Sequence, residues 1–184
     1  MMVLQTDRLF LRPLLPSDAD ALFLLHCDPL VVRLTTGGQP MSRNQSDELL
    51  DLYLREAREF GLTFFAVFEK QPDGDLLFAG RCGLRSFKHD AVEIGYCFSN
   101  RASGRGLATE SASLIVADAF GRLGCPKLVG LVRPTNHQSQ MVLKKLGFTH
   151  SGMTSHRDIN YLSFERNKAE WPGPSLEQTS RRSS

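Results

Sequence analysis

The residues with most to say about chemistry lie between Glu93 and Glu110. There Glu93-Ile-Gly-Tyr-Cys-Phe-Ser-Asn-Arg101-Ala-Ser-Gly104-Arg105-Gly106-Leu-Ala-Thr109-Glu110 carries strand character into a Gly- and Arg-containing turn and then at once into a helix. A helix N-terminus exposes unpaired backbone N–H groups and the positive end of the helix dipole. Glycines at 104 and 106 remove Cβ atoms that would hinder close approach, and Arg101 and Arg105 bring forked cationic donors. Together these make a cradle suited to phosphate. A tight strand-to-helix connection with its arginines in solvent accounts for the same spacing, so the pattern alone leaves both readings open. Two commoner phosphate motifs are excluded. No Gly-Lys-Ser/Thr closes the turn, and Gly104-x-Gly106 is followed by Thr109 where the dinucleotide fingerprint needs glycine or alanine.

Elements on both sides must hold this segment in place. Leu9–Leu14 reads as a strand, and Pro16-Ser17-Asp18 as a helix start with Ser17 as N-cap, running to Cys27. Residues 28–41, with Pro29, Gly37, Gly38 and Pro40, read as an irregular connection. Ser42 or Asn44 opens a second helix whose Leu50, Tyr53, Leu54 and Ala57 share one face, and Gly61 stops it. Thr63–Glu69, Leu76–Phe87 and Ala91–Phe98 form a meander of strands with short turns. A helix over 104–123 follows, with Ala112, Ile115, Val116, Ala119, Phe120 and Leu123 at helical spacing. Strand 127–132, helix 136–146 and two weaker strands, 148–155 and 158–165, complete the order β-α-α-β-β-β-α-β-α-β-β. The fold class is α/β (α+β): a mixed, mostly antiparallel sheet covered by helices. Residues 1–170 make one domain, and the Pro-, Ser-, Gln- and Arg-rich stretch 171–184 reads as a disordered tail.

Composition narrows the function class. A formal net charge of +2 over 184 residues gives no bulk attraction to nucleic acid. No apolar run reaches the length of a membrane span, and Asp7 and Arg8 interrupt the N-terminus before a signal peptide forms. The four cysteines lie far apart, which suits reduced thiols rather than a disulfide framework or a metal site. A cytoplasmic protein with no bound metal is expected.

The central segment resembles the coenzyme-A signature of the GNAT N-acetyltransferases: Gln or Arg, two residues, Gly, one residue, Gly or Ala. Here it reads Arg101-Ala-Ser-Gly104-Arg-Gly106. Glu93-Ile-Gly-Tyr96 before it, Leu107-Ala-Thr-Glu110 after it, and Asn136-His-Gln-Ser139 with Lys145-Leu-Gly-Phe148 downstream resemble the branch of ribosomal-protein alanine N-acetyltransferases, RimJ/RimL-like. So does the opening Thr6-Asp-Arg-Leu-Phe-Leu-Arg-Pro13, and the likeness spans about residues 5–166. It implies acetyl-CoA as donor, a primary amine as acceptor (a peptide or protein N-terminus or a small amine), and a cofactor strand that parts from its parallel neighbour at a β-bulge. By the same resemblance Cys97, Phe98 and Ser99 line the pantetheine, Ser103, Gly104, Arg105, Gly106, Leu107, Ala108 and Thr109 take the pyrophosphate, and Asn136 touches the cofactor from the next turn.

Acetyl transfer to an amine needs a proton acceptor for the amine and a proton donor for the leaving thiolate. Glu93 is the base candidate, against a plain ion-pairing role with a nearby arginine. The tyrosine that many family members place on the helix after the second motif falls at Leu143 here, so Ser139 is the substitute donor, against a role in capping or packing. Tyr96 is placed in the core beside Ile94 and Phe98. Leu143 also supports an alternative, a coenzyme-A-binding sensor without turnover. Monomer and homodimer both remain open.

Overall fold

A computed structural model describes residues 2–88, 91–156 and 159–173, with the His156 side chain excluded; most of the expected tail lies outside these. Eight strands form one sheet in the order β1-β2-β3-β4-β5-β6-β8-β7. They are β1 (Leu4–Gln5), β2 (Leu9–Pro13), β3 (Phe64–Lys70), β4 (Leu76–Phe87), β5 (Ala91–Phe98), β6 (Lys127–Val132), β7 (Thr149–His156) and β8 (Ile159–Asn167). Every pairing is antiparallel except β5–β6. The two-residue β1 carries too little pattern to be read from sequence.

Helices cover both faces. On one face lie α1 (Ala19–Cys27), the short α2 (Pro29–Val31) and α3 (Arg43–Phe60), packing Leu22, Leu25, Leu50 and Tyr53 against Phe64, Ala66 and Cys97. On the other lie α4 (Leu107–Gly121) and α5 (His137–Lys145), packing Ala112, Ile115, Val116 and Leu143 over Leu11, Phe65, Cys82 and Ile94. Residues 28–41, expected to be irregular, hold α2 and a wide π-type turn over Val32–Thr36. Asp28 accounts for this: its two carboxylate oxygens accept Leu30 N at 2.9 Å and Asn100 N at 2.9 Å.

The helix starts differ in detail from expectation. Asp18, not Ser17, organises the first one: its carboxylate accepts Leu15 N at 2.8 Å and the Arg12 fork at 2.8 and 2.7 Å. Ser42 caps α3 in a reciprocal box with Gln45, and Gly61 at φ +70° ends it. The buried face of α3 is Ser46, Leu50, Tyr53 and Glu56, so Leu54 and Ala57 are only half-buried. Trp171, assigned to the tail by composition, packs on Phe120 with ring centroids 5.7 Å apart.

His26 is buried between α1 and α3, where Nδ1 meets Ser46 Oγ at 2.8 Å and Nε2 has no partner. Burial, reinforced by Arg81, lowers its pKa to about 3. A histidine kept neutral in the fold but free to protonate once unfolded, near its ordinary 6.5, gives the unfolded chain more protons between these values. Stability contributed by His26 is therefore complete above pH 6.5 and is lost as pH falls toward 3, at up to ~1.4 kcal/mol per unit. Urea unfolding of wild type and His26→Gln at pH 7.5 and 5.5 checks this. The wild type is expected to lose more stability than the variant on acidification.

Candidate active site

β5 and β6 run side by side only briefly. They pair through Val92–Leu128 and Glu93–Val129, and beyond Glu93 they part. The register of β5 against β4 is unbroken from Ala91 to Phe98, and the register shifts recorded in the sheet lie at Val67/Phe68 and His150/Gly152. The expected opening is thus present as a loss of pairing between β5 and β6, without a break in the β4–β5 ladder. Along the open stretch the edge of β5 that faces β6 has no ladder partner, and such groups call for a ligand or water.

One cleft, about 410 Å³, lies at this opening. Its walls include Cys97 and Phe98 from β5, then Ser103, Gly104, Gly106, Leu107, Ala108 and Thr109, with Asn136 and Ser139 across from them. Gly104 and Gly106 sit at φ +75° and +81°, and Gly106 is the N-cap of α4 with no side chain to block its first amides. A Cβ at Gly104 would meet nothing within 4 Å, so backbone conformation rather than crowding calls for glycine there. Open amides, the helix dipole and an unpaired strand edge in one cleft suit a ligand with phosphates at one end and an amide-bearing arm at the other.

Three of the residues assigned to the cofactor lie elsewhere. Arg105 is held by Glu69 through both terminal nitrogens, one contact at 2.7 Å. Arg101 donates to Phe78 O at 3.1 Å and stands 3.7 Å from Glu69. Both therefore brace the loop from behind rather than line the cleft, and Glu69, buried on β3, is drawn below its usual pKa by the Arg105 hydrogen bonds. Ser99 is also outside the lining; its buried hydroxyl has no partner. Arg8 extends the brace, donating to Arg105 O at 3.2 Å and to Glu110, which also accepts Thr6 Oγ1.

Asn136 caps α5, accepting Ser139 N at 3.0 Å. Its carbonyl oxygen is thereby used, and its amide N–H groups remain for a ligand. Ser139 has its hydroxyl 2.9 Å from Tyr96 Oη, which also donates to Ser139 O at 3.0 Å. Tyr96, placed in the core by strand alternation, thus brings a phenol to the cleft. Burial pushes its pKa up, so it keeps its proton. The recoverable signal was chemical: a buried tyrosine hydroxyl needs a partner. Leu143, one helical turn beyond Ser139, is buried and lies against Gly130.

A second cleft, about 690 Å³, meets the first at Leu34, Thr35, Tyr96, Asn136 and Ser139. Glu93 is in its wall, clamped by Arg85 at 2.7–2.9 Å. Burial raises the Glu93 carboxyl above its ordinary range against the pull of Arg85. Arg81 and Arg85, from β4, stand in the same wall, and no motif in the sequence marks them.

Residues 8–149 match the GNAT acetyltransferase domain family. The chain belongs to that family, whose members transfer acetyl groups from acetyl-CoA. It is 31% identical over 152 residues to the uncharacterised protein YkkB of Bacillus subtilis, covering 80% of this chain and 86% of that protein. An acetyltransferase from Agrobacterium tumefaciens shares the fold with a TM-score of 0.77 and 24% identity, over 91% and 95% of the two chains. RimL, a ribosomal-protein N-acetyltransferase solved with coenzyme A, aligns with a TM-score of 0.74 and 16% identity, over 90% and 98%. Among the described residues no helix is long and apolar enough to cross a membrane.

The left-handed backbone at Gly106 is expensive for any other residue, roughly 1–2 kcal/mol. Gly106→Ala is expected to lower Tm by about 2–8 °C and to weaken acetyl-CoA binding. Scanning calorimetry and titration calorimetry on the same preparation check both.

Proposed function

We propose that this protein is an acetyl-CoA-dependent N-acetyltransferase that moves acetyl to a primary amine by direct attack in a ternary complex. The observation that carries this is the junction of two clefts at Tyr96, Asn136 and Ser139. One cleft has the amides and glycines that suit a pyrophosphate and pantetheine arm; the other is free for an acceptor. Bound acetyl-CoA supplies the activated acetyl group.

The chain's own residues supply the rest. Cys97 and Phe98 orient the arm, and the amides from Ser103 to Thr109 hold the phosphates. Asn136 offers its amide N–H groups at the junction. Glu93 accepts the proton of the incoming amine, its burial favouring the protonated form that results. Tyr96 keeps a proton at Oη beside Ser139 Oγ, and from this hydroxyl pair the leaving sulfur takes its proton. This hydroxyl pair takes the place that Leu143 leaves without a donor, which favours turnover over a sensor.

Coenzyme A release from acetyl-CoA with N-terminal peptides, polyamines and aminoglycosides tests the reading; binding without turnover on any acceptor would favour the sensor. Tyr96→Phe is expected to lower kcat by about a hundredfold, within the usual range for a general acid, with the acetyl-CoA Kd nearly unchanged. Glu93→Gln is expected to lower kcat/KM and to remove the acidic limb of its pH profile. A variant with the wild-type profile would take Glu93 out of the mechanism.

A further inference from the structure

The acceptor-side cleft is lined by three arginines, Arg81, Arg85 and Arg133, and by two carboxylates, Glu48 and Glu93. Glu93 is engaged by Arg85, fork to carboxylate. Glu48 is exposed. Neither Arg81 nor Arg133 has a carboxylate within ion-pair distance among the described residues. The Arg81 guanidinium stands 5.1 Å from the ring centres of both Tyr53 and Phe64, and its Nε is buried without a hydrogen-bond partner. Arg133 spends Nε on Thr35 O at 2.8 Å and presents its terminal nitrogens beside Gly37.

A half-buried guanidinium with no carboxylate at ion-pair distance is costly unless something anionic completes it. Its planar fork matches a carboxylate. Register fixes where that carboxylate would lie. Arg81 is level with Cys97, in the wall of the donor cleft, and Arg85 is level with Glu93. Alternation puts all four on one face of the sheet. Between them the Phe64 ring packs over Gly83 and Gly95. Arg81, Arg133 and Glu93 line one cleft of about 690 Å³, room for one small molecule bearing both an amine and an acid.

We propose that the acceptor is a small primary amine of the amino-acid class, its carboxylate held by Arg81 and Arg133 and its amine turned toward Glu93. This rests on the acetyl-transfer reading above. The amine nitrogen forms the new C–N bond as the C–S bond breaks, an amine proton passes to Glu93, and the sulfur takes one from the Tyr96–Ser139 hydroxyl pair; nothing is oxidised or reduced. A polyamine would meet the uncompensated positive charge of Arg81 and Arg133 and gain nothing from it.

The test compares amino acids with their own carboxamides, alongside spermidine and N-terminal peptides amidated at the C-terminus, by coenzyme A release. Acids are expected to be preferred over their amides by at least about tenfold in kcat/KM, as suits a charge-assisted contact. Arg81→Gln is expected to raise KM for the acids about ten- to a hundredfold and erase the preference, with the acetyl-CoA Kd by calorimetry as in wild type. Arg133→Gln, outside the sheet face, is expected to act in the same direction and serves if Arg81→Gln misfolds. Amides, spermidine or amidated peptides used as well as the acids would overturn the proposal while leaving the acetyltransferase reading intact. Acetyl-CoA binding with no release on any acceptor would defeat both.

Discussion

The site depends on one constraint: two parallel strands that hold together for two residue pairs and then let go. β5 and β6 stay in register at Val92 and Glu93 and nowhere beyond. A parallel ladder broken midway leaves backbone donors and acceptors without partners, a cost that compact domains rarely accept unless a ligand completes the edge. The separation is enforced from both sides. β5 is tied along its full length to β4, and β6 along its full length to β8. Each strand is thus committed to its outer neighbour, and the gap between them is a fixed feature of the sheet rather than a frayed end.

What fills the ends of this gap follows from it. A short loop leads from β5 into α4, whose first residues line the mouth, and another leads from β6 into α5, bringing Asn136 and Ser139 to the opposite wall. The loop before α4 could collapse into the gap, but Glu69, Arg101, Arg105, Arg8 and Glu110 hold it back. The arginines nearest the open amides of α4 thereby brace the loop's position. Most of these pairs are partly exposed, so geometry rather than net stability is their main contribution.

Much of this frame was legible in the sequence, for identifiable reasons. Gly104 and Gly106 announce a backbone that only glycine takes easily, and the alternation of the three central strands and the stripe on α4 reflect burial directly. What escaped was pairing at a distance. Nothing in the order of residues links Arg105 to Glu69, 36 positions away, or Asp28 to Asn100, 72 away. Tyr96 packs against the core as its alternation on β5 implies, but its hydroxyl contact with Ser139 was not legible, because periodicity places a side chain and says nothing about where a long one ends. Arg81 and Arg85 belong to no motif; it is α1 and α3, covering their side of the meander, that make it the wall of a cleft.

The position of Leu143 shows how one loss and one gain are physically linked. It follows Ser139 by four residues, so the two stack on one face of α5. Leu143 is packed flat against Gly130, where a Cβ would lie 2.7 Å from its side chain. A ring at 143 would have to enter that same narrow space. With α5 seated in this way, Ser139 comes within reach of a phenol rising from β5 across the gap. The hydroxyl pair at this junction is therefore shared between strand and helix, and the glycine on β6 that admits Leu143 is as much a part of that arrangement as Tyr96 itself.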